Sequence, residues 1–471
     1  MANLHSFLTH QMTGQIHEEC GVFGVFGVEG AADLVRTGLS FLQHRGQEGC
    51  GIAYADADGC ITLQKGAGLV SKVFPKALGS EACSAIGHVR YGTFGGDGVE
   101  NVQPFVFHRH QGDFATAHNG NIVNAGELVS AISASGELFQ SSSDSEIFGL
   151  LIGEQLKNGR GISAEVLSRV FSRVDGAFSF LLLTRDALYV CRDKYGLRPL
   201  SIGTLGDGYV AASETCALEA IGAQNLEDVR PGEMVTITRE GIWRTTYAAS
   251  RRNAMCAMEY IYFARPDSDI EGRNVHAFRK ESGRILFRES PADADLVVGV
   301  PDSGLSAAMG YAEASGIPME PAIVKNFYVA RTFIQPTQEM RRSGVSLKLS
   351  PVRSLVKGKR LIVIDDSIVR GTTSKRLIQM LREAGAAQIH MRITSPPLKN
   401  PCYYGVDISS RKELISASRS VEEVCRFIGA DSLAFISEAG LMEAGQRTDL
   451  CLACFNCLYP TDIYSHLEEK F

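Results

Sequence analysis

Two patterns of hydrophobic and polar positions divide the chain near its middle. Up to about residue 245, short apolar segments alternate with glycine-rich turns, as in Gly21–Gly27, Phe178–Leu183 and Ala187–Cys191. Short strands separated by such turns are typical of an antiparallel, strand-rich domain that also contains some helices. The polar segment Thr245–Asn253 ends this pattern, and we interpret it as a linker.

Continuous apolar strands in the second half predict a different kind of sheet. Asp295–Val300 and Arg360–Ile364 are each followed by a polar turn and a helix. Strands that alternate with helices in this way form buried parallel sheets. Gly385 is placed to end the helix after the second strand. The apolar face of that helix is predicted to consist of Leu377, Ile378, Leu381 and Ala384.

Composition changes this picture only in detail. The chain has 471 residues, of which 45% are hydrophobic and 21% charged, and its net charge is −6. Length alone suggests about three domains, but the two patterns favour two, over residues 20–250 and 251–471. The net charge gives no reason to expect a nucleic-acid partner, and no apolar run is long enough to predict a membrane span. Twelve sparse cysteines and the absence of a secretory signal predict a reducing, cytoplasmic location.

The strongest local signal is a hydrophobic strand that ends in two acidic residues and leads through a Gly-Thr-Thr loop into a helix, over Val363–Ser374. Loop N–H groups and a helix N-terminus bind a terminal phosphate, and Gly371 permits a close backbone approach. Asp365 and Asp366 would repel a phosphate, so we interpret them as acceptors for ribose hydroxyls or as ligands near Mg²⁺. An acidic strand end that merely caps the next helix is the alternative, which the complete pattern disfavours.

This segment resembles the 5-phosphoribosyl 1-diphosphate (PRPP) binding motif of type I phosphoribosyltransferases. The resemblance implies a Rossmann-like α/β domain with a parallel sheet. The turn Val300–Gly304 resembles the family's pyrophosphate loop. The segment Lys325–Arg360, with nine basic residues and one acid, resembles its flexible lid, although a solvated basic loop is the alternative. The implied PRPP-binding residues are Asp302, Ser303, Lys325, Arg331, Thr332, Asp365, Asp366, Ser367, Arg370, Gly371, Thr372 and Thr373. The implied Mg²⁺ ligands are Ser303, Asp365 and Asp366.

Cys20 begins the first predicted strand, where a cysteine alone would be interpreted as a core residue. Four further segments change this interpretation, namely Leu42–Gly49, Gly87–Thr93, His118–Asn124 and Ser141–Glu146. Together they resemble the glutaminase domain of the N-terminal-nucleophile (Ntn) amidotransferases, which implies an αββα sandwich. In that family a propeptide is removed and the cysteine becomes the first residue. The resemblance therefore implies cleavage after Glu19, with residues 1–19 as the propeptide.

The chemistry of the nucleophile explains why such processing is needed. A free α-amine titrates near pH 7.7–8.0, so it can act as a general base, whereas a peptide nitrogen cannot. The thiolate would attack the side-chain amide of glutamine to give a thioester and ammonia. By resemblance the catalytic residues are Cys20, Asn119 and Gly120, of which the last two form an oxyanion hole. The implied glutamine-binding residues are Arg45, Arg90, Thr93 and Asp144. Taken singly, Asn119 could be a turn residue and Arg90 part of a surface ion pair.

Cys451, Cys454 and Cys457 lie within seven residues of one another. Their spacing alone fits zinc, an iron–sulfur cluster or a redox pair, but a position just before Tyr459–Pro460 disfavours the redox pair. A closed site needs four ligands, and unliganded thiols are the remaining alternative. Resemblance to the iron–sulfur-containing, propeptide-bearing type of PRPP amidotransferase implies a structural [4Fe–4S] cluster. Its implied ligands are Cys256, Cys402, Cys451 and Cys454.

The combined resemblance, from about Glu18 to Tyr464, implies an enzyme that hydrolyses glutamine and transfers the ammonia to C1 of PRPP. The products would be 5-phosphoribosylamine, diphosphate and glutamate, in the first committed step of de novo purine (IMP) synthesis. It also implies purine nucleotide feedback inhibitors and a homotetramer or dimer. One alternative is another Ntn glutamine amidotransferase, such as the glucosamine-6-phosphate synthase type, which predicts isomerase motifs in the second half. The other is a non-catalytic PRPP- or nucleotide-sensing regulator, which predicts a lost nucleophile or a broken loop.

Overall fold

The computed structural model describes residues 20–56, 58–91, 98–157, 159–249, 252–326, 349–406 and 410–465. The predicted propeptide, Thr93, and the part of the predicted lid that contains Arg331 and Thr332 lie outside these residues. The structure therefore describes both domains and most of the predicted site residues.

The first domain contains two antiparallel sheets. In spatial order the first sheet is β11-β9-β10-β1-β4-β2-β3 and the second is β13-β12-β8-β7-β6-β5. The strands in chain order are β1 (Gly21–Phe26), β2 (Gly49–Ala55), β3 (Ile61–Ala67), β4 (Ser84–Arg90), β5 (Phe105–Phe107), β6 (Phe114–Ile122), β7 (Gly176–Leu183), β8 (Ala187–Arg192), β9 (Ser201–Leu205), β10 (Gly208–Ala212), β11 (Gln224–Asp228), β12 (Glu233–Thr238) and β13 (Gly241–Thr246).

Helices cover the outer face of each sheet, which gives four layers. In chain order they are α1 (Ala31–Phe41), α2 (Val70–Val73), α3 (Ala125–Ala134), α4 (Glu146–Leu156), α5 (Ala164–Phe171) and α6 (Thr215–Ala220), with a 3₁₀ turn at Val99–Asn101. Alternation along β1 explains the layering, because Val22 packs between the two sheets whereas Phe23 packs under α1 and α6. Helices α3, α4 and α5 bury the other face of the second sheet. The predicted αββα sandwich is thereby confirmed.

The second domain is organised around a parallel sheet of order β17-β20-β21-β22. Its strands are β14 (Met255–Cys256), β15 (Asp269–Ile270), β16 (Arg273–Asn274), β17 (Leu296–Gly299), β18 (Ile323–Lys325), β19 (Leu349–Pro351), β20 (Arg360–Asp365), β21 (Gln388–Ile393), β22 (Ser432–Phe435) and β23 (Leu450–Cys451). The helices are α7 (Val275–Glu289), α8 (Gly304–Ser315), α9 (Arg353–Val356), α10 (Thr372–Glu383), α11 (Val421–Ile428), α12 (Glu438–Gly445), α13 (Ala453–Asn456) and α14 (Asp462–Ser465), with a π-helical turn at Glu259–Phe263 and 3₁₀ turns at Arg411–Glu413 and Ile415–Ala417.

Helices on both faces bury this sheet, as its continuous apolar strands predict. Helices α7 and α8 pack on one face and α10 and α11 on the other. The predicted apolar face of α10 is confirmed, because all four of its predicted residues are buried. Gly385 follows the helix with a φ of 96°, a left-handed conformation that favours glycine.

The predicted linker is wrong at its start. Thr245 and Thr246 belong to β13 and pair with Met234 and Glu233 of β12. Threonine is a good strand residue on a half-exposed sheet edge, so a polar composition alone did not distinguish strand from linker here.

An apolar core continues from one domain into the other. Tyr195 and Leu197 of the first domain pack in one cluster with Met255, Ile261 and Tyr404 of the second. In the described residues, no helix is both long enough and apolar enough to cross a bilayer.

Candidate active site

Cys20 lies immediately before β1 and is buried, with 7% of its surface exposed. Its Sγ is 3.9 Å from the carbonyl oxygen of Tyr91, because β1 pairs with β4 and brings the end of β4 beside it. Burial raises the pKa of the Cys20 thiol, a rise that Arg90 opposes and Asp144 reinforces. The thiol therefore needs a nearby base to form the thiolate at neutral pH.

Two of the three charged residues predicted to bind glutamine, Arg90 and Asp144, interact electrostatically with the nucleophile. Arg90 is the last residue of β4 and Asp144 precedes α4, and both are buried. The backbone N–H of Ile122 donates to Oδ2 of Asp144 at 3.0 Å, which holds the carboxylate in place. A cation and an anion near one thiol suit the α-carboxylate and α-ammonium of an amino acid.

Asn119 has an unusual environment for a buried amide. It lies on β6 opposite Ser179 and is 1% exposed, and among the described residues neither its Oδ1 nor its Nδ2 has a hydrogen-bond partner. A buried polar group without a partner costs about 1–3 kcal/mol, so a protein rarely keeps one without a use. The adjacent Gly120 has a φ of 145°, and a Cβ there would lie 1.9 Å from the carbonyl oxygen of Ala177. The side-chain amide of Asn119, next to the close approach of the Gly120 backbone to Ala177, fits an oxyanion hole.

Arg45 has a different environment from that of a simple glutamine ligand. Its Nε donates to the carbonyl oxygen of Cys20 at 3.0 Å. Its Nη1 contacts Glu214 at 2.6 Å and its Nη2 contacts Glu259 at 2.8 Å. Direct binding of glutamine by Arg45 stays a prediction, whereas its contact with the backbone of the nucleophile is observed.

The second site is at the carboxyl ends of β17 and β20, where open parallel sheets bind ligands. Ser303 follows β17, and its hydroxyl donates to Oδ1 of Asp366 at 2.6 Å. The hydroxyl of Ser367 donates to the other oxygen of Asp366 at 2.5 Å. Burial raises the pKa of Asp365, and the neighbouring Asp366 raises it further. The two loops that were predicted to share one substrate are thus in direct contact.

The predicted phosphate loop leads directly into α10. Gly371 is the N-cap residue with a φ of 73°, and Thr372 and Thr373 occupy the first helical positions with exposed side chains. Their hydroxyls and the helix N-terminus are therefore open to a phosphate. Arg370 forms an exposed ion pair with Glu413 at 2.7 Å. In the loop after β17, Asp302 forms an ion pair with Lys325, the last residue of β18.

The four predicted cluster ligands line one cavity between the domains, together with Leu197, Arg198, Met258 and Tyr404. Cys256 and Cys451 face each other in the parallel pair of β14 and β23. Burial raises the pKa of Cys454, and the thiols of the other three cysteines raise it further. The backbone N–H of Tyr404 donates to Sγ of Cys402 at 3.3 Å, a contact that stabilises a thiolate. The four sulfur atoms therefore share one site.

Zinc and iron–sulfur sites differ in the separation of the sulfur atoms that they need. Among the described residues, no group of three or more His, Cys, Asp or Glu side chains is arranged to hold a metal ion. Zn–S bonds of 2.3 Å require sulfurs about 3.8 Å apart in a tetrahedron. A multi-iron cluster is larger than one ion and separates its four thiolates more widely. The [4Fe–4S] cluster stays a prediction for these four cysteines.

Sequence reasoning missed a group of buried charges between the domains. Glu259 pairs with Arg45 and Arg198, while Arg192 pairs with Glu271 at 2.6 Å. A signal was present, because Glu259 is the only charge in the apolar segment Met255–Phe263. A lone charge in such a segment indicates a buried ion pair.

Comparisons with known proteins agree with these two sites. A model of the glutamine amidotransferase domain matches residues 91–220, and a model of the phosphoribosyl transferase domain matches residues 278–425. The chain therefore combines a glutamine amidotransferase domain with a phosphoribosyltransferase domain.

Full-length relatives then identify the family. The amidophosphoribosyltransferase of Bacillus subtilis is 50% identical over 468 residues, which cover 96% of this chain and 98% of that protein. The one from Staphylococcus epidermidis is 48% identical over 472 residues, which cover 97% and 95%. This chain belongs to the amidophosphoribosyltransferases.

Two solved structures show the same architecture. The glutamine PRPP amidotransferase from B. subtilis, complexed with ADP and GMP, has a TM-score of 0.88 and 48% identity, and the match covers 95% of this chain and all of that one. A structure described as the allosteric regulatory enzyme of purine biosynthesis has a TM-score of 0.89 and 50% identity, over 94% and 97%.

Proposed function

We propose that the chain hydrolyses glutamine at Cys20 and transfers the ammonia to C1 of PRPP, giving 5-phosphoribosylamine, diphosphate and glutamate in the first committed step of purine synthesis. The observation that carries this proposal is that the buried Cys20 thiol interacts electrostatically with Arg90 and Asp144, which come from two other segments of the chain. The buried Asn119 amide on β6, which has no protein hydrogen-bond partner among the described residues, supports it. The family to which the chain belongs supports the same reaction.

The glutaminase half needs an N-terminal cysteine. Burial disfavours the Cys20 thiolate, so the proton must pass to a base close to Sγ, and the α-amine of Cys20 itself is such a base once residues 1–19 are removed. Sγ then attacks the amide carbon of glutamine, the C–N bond breaks, and the nitrogen takes up the proton held by the α-amine and leaves as ammonia. Water hydrolyses the resulting thioester, which gives glutamate and restores the thiol. Asn119 Nδ2 and the N–H of Gly120 donate to the developing oxyanion. Arg90 holds the α-carboxylate of glutamine and Asp144 holds its α-ammonium. Thr93 is an additional proposed glutamine ligand.

In the second site, the paired loops orient PRPP for attack at its anomeric carbon. Thr372, Thr373 and the N-terminus of α10 would bind the 5-phosphate, since their donors are exposed there. The carboxylates of Asp365 and Asp366 would accept hydrogen bonds from the ribose hydroxyls. The remaining proposed PRPP contacts are Asp302, Ser303, Lys325, Arg331, Thr332, Ser367, Arg370 and Gly371.

The residues present also fit Mg²⁺. This ion is usually bound by one or two carboxylates, with water and substrate phosphates completing its shell, so no protein-only cage is required. Ser303, Asp365 and Asp366 would hold it at the strand ends. When bound, Mg²⁺ neutralises charge on the leaving diphosphate.

The strand that carries Asn119 and Gly120 contacts the second domain. Asn121, two residues after Asn119, donates through Nδ2 to the carbonyl oxygen of Tyr403 at 2.8 Å. A side chain at Gly405 would meet the backbone of Gly120. Because the oxyanion strand touches the second domain, we propose that ammonia crosses this interface without equilibrating with water.

The cysteine cavity is proposed to hold a [4Fe–4S] cluster with a structural role. Its four thiols come from the beginning, middle and end of the second domain, so a cluster would join these parts. None of the twelve cysteines forms a disulfide, which supports work in the reducing cytoplasm.

We further propose regulation and assembly that follow the family. A relative has been crystallised with ADP and GMP, and a purine nucleotide shares a ribose phosphate with PRPP, so such nucleotides are proposed as feedback inhibitors of this chain. A homotetramer or dimer is the proposed assembly. The sugar-phosphate isomerase alternative is disfavoured because the second half matches a phosphoribosyl transferase domain.

The test of the function compares two ammonia sources. Protein whose N-terminus is verified as Cys20 should release diphosphate from PRPP and Mg²⁺ with either glutamine or ammonium. Cys20→Ala should lose the reaction with glutamine and keep the reaction with ammonium. A correctly processed protein that turns over with neither source would favour the regulator.

A further inference from the structure

A buried carboxylate from the second domain reaches into the surroundings of the nucleophile. Glu259 lies in the π-helical turn that follows β14 and is fully buried. Its Oε1 accepts from Arg45 Nη2 at 2.8 Å, and its Oε2 accepts from Arg45 Nη1 at 3.0 Å. Arg198 Nη1 also donates to Oε1 at 3.3 Å. The contact with Arg45 is a two-point pair, the geometry that fixes both the place and the plane of a guanidinium.

The third nitrogen of the same guanidinium reaches the nucleophile. Because the group is rigid and planar, fixing Nη1 and Nη2 also fixes the direction of Nε. Nε donates to the carbonyl oxygen of Cys20 at 3.0 Å. That oxygen is two bonds from Cα, which is bonded directly to the α-nitrogen and, through Cβ, to Sγ. The position of Glu259 is thus transmitted through Arg45 to both reacting groups of Cys20.

The buried charges around this contact balance. Arg45 and Arg198 face Glu214 and Glu259, so two positive and two negative side chains share the buried space. His44 contacts Glu214 from the half-buried edge at 2.7 Å. Although burial favours the neutral form, Glu259 and then Glu214 raise the pKa of Arg45 above its usual range. A buried pair of this kind adds little net stability but holds its members in one geometry.

We propose that Glu259 is a positioning residue for glutamine hydrolysis, so that the second domain completes the first domain's active site by holding Arg45 against Cys20. This inference rests on the proposed function, in which Cys20 is the nucleophile. Arg198 extends the connection, since its Nη2 donates to the carbonyl oxygen of Tyr404 at 2.6 Å and its side chain lines the cysteine cavity.

The experiment compares two glutamates of the second domain that each accept from a buried arginine of the first. Glu259→Gln removes the charge opposite Arg45. Glu271→Gln is the matched control, because it weakens the pair with Arg192 at the same interface but has no contact with Cys20 or Arg45. Both proteins are prepared with a mass-verified N-terminal Cys20. Glutaminase kcat and KM are measured beside ammonia-dependent diphosphate release.

For Glu259→Gln we expect glutaminase kcat to fall by about 100-fold, the effect of roughly 1 Å of misplacement, with KM for glutamine changed by less. Ammonia-dependent release should stay within about twofold, and Glu271→Gln should keep near-normal kcat. Equal losses in the two variants, or normal kcat in Glu259→Gln, would overturn the proposal. If Glu259→Gln does not fold, Arg45→Lys is used, since lysine keeps the charge but cannot span both contacts. Normal glutaminase kcat in Arg45→Lys would also overturn it.

The double variant separates positioning from general loosening. If Glu259 acts through Arg45, Arg45→Lys combined with Glu259→Gln should lose no more kcat than the larger single loss. Losses that multiply would refute a shared route to Cys20. Absence of glutamine-dependent turnover in the wild-type protein would instead refute the proposed function, so the two failures are distinguishable.

Discussion

Asn119→Ala separates catalysis from stability more sharply than any other substitution in the glutaminase site. The buried Asn119 amide has no hydrogen-bond partner within the part of the chain that the structure describes. Its removal takes away an unsatisfied group that costs about 1–3 kcal/mol, while the lost packing of a short side chain costs about 1 kcal/mol. We therefore expect the free energy of unfolding to be unchanged or raised by up to about 2 kcal/mol.

The same substitution should damage the reaction severely. Losing one oxyanion-hole donor lowers kcat by about 10²–10³-fold, or about 2.7–4 kcal/mol. Glutamate release from glutamine measures this loss, and ammonia-dependent diphosphate release should not change. Thermal unfolding, followed by circular dichroism, measures the stability.

Asn124→Ala is the matched control in the same segment. The Asn124 side chain donates to the carbonyl oxygen of Arg173 and accepts from the N–H of Asp175, each at 2.9 Å. Its loss should lower stability by about 1–2 kcal/mol and leave glutaminase kcat near normal. The reasoning is refuted if Asn119→Ala destabilises the protein as much as Asn124→Ala, or if Asn119→Ala keeps full glutaminase activity.

Three further predictions concern the interface, the PRPP site and the cysteines. Burial favours the protonated form of Glu214, but His44 and Arg45 outweigh this and lower the pKa of Glu214 in the folded protein. The Glu214 carboxylate therefore stabilises the fold at pH values above its unfolded pKa of about 4.3, and this stabilisation is lost as the pH falls below that value. Glu214→Gln should thus lower stability at pH 7 more than at pH 3 in urea unfolding, and an equal effect at both pH values would contradict the ion-pair account. Asp366→Asn should lower glutamine-dependent and ammonia-dependent diphosphate release alike, by roughly 10²-fold, while glutamate release from glutamine persists. Loss of the glutamine-dependent reaction alone would contradict the assignment of Asp366 to the PRPP site. Cys402→Ser should abolish bound iron, acid-labile sulfide and visible absorption, whereas stoichiometric zinc without sulfide in the wild-type protein would exclude the cluster.

Local patterns predicted the parts of the fold whose partners lie close in sequence. The apolar face of α10 and the strands β17 and β20 of the parallel sheet follow from spacing within a few residues. The contact between Ser303 and Asp366 was also predictable, because parallel strands place their carboxyl ends at one edge of the sheet. The error at Thr245 arose where strand and linker share a polar composition.

The charges around Arg45 were beyond local reasoning because their partners are distant in sequence. Arg45 and Glu259 are 214 positions apart, and no short-range pattern indicates which buried cation meets which anion. Cys256 and Cys402 were assigned to the cluster by resemblance alone, since spacing cannot bring them to Cys451. The pairing of β14 with β23 supplies the missing reason, because it sets Cys256 directly opposite Cys451.

The central claim is that one chain makes ammonia at Cys20 and uses it at the strand ends of the second domain. The most direct test measures diphosphate released from PRPP and Mg²⁺ by protein with a verified N-terminal Cys20 and by its Cys20→Ala variant, each with glutamine and with ammonium. The account predicts turnover with both nitrogen sources for the first protein and with ammonium alone for the variant. Glutamine-dependent release by Cys20→Ala, or no release by the processed wild-type protein, would contradict it.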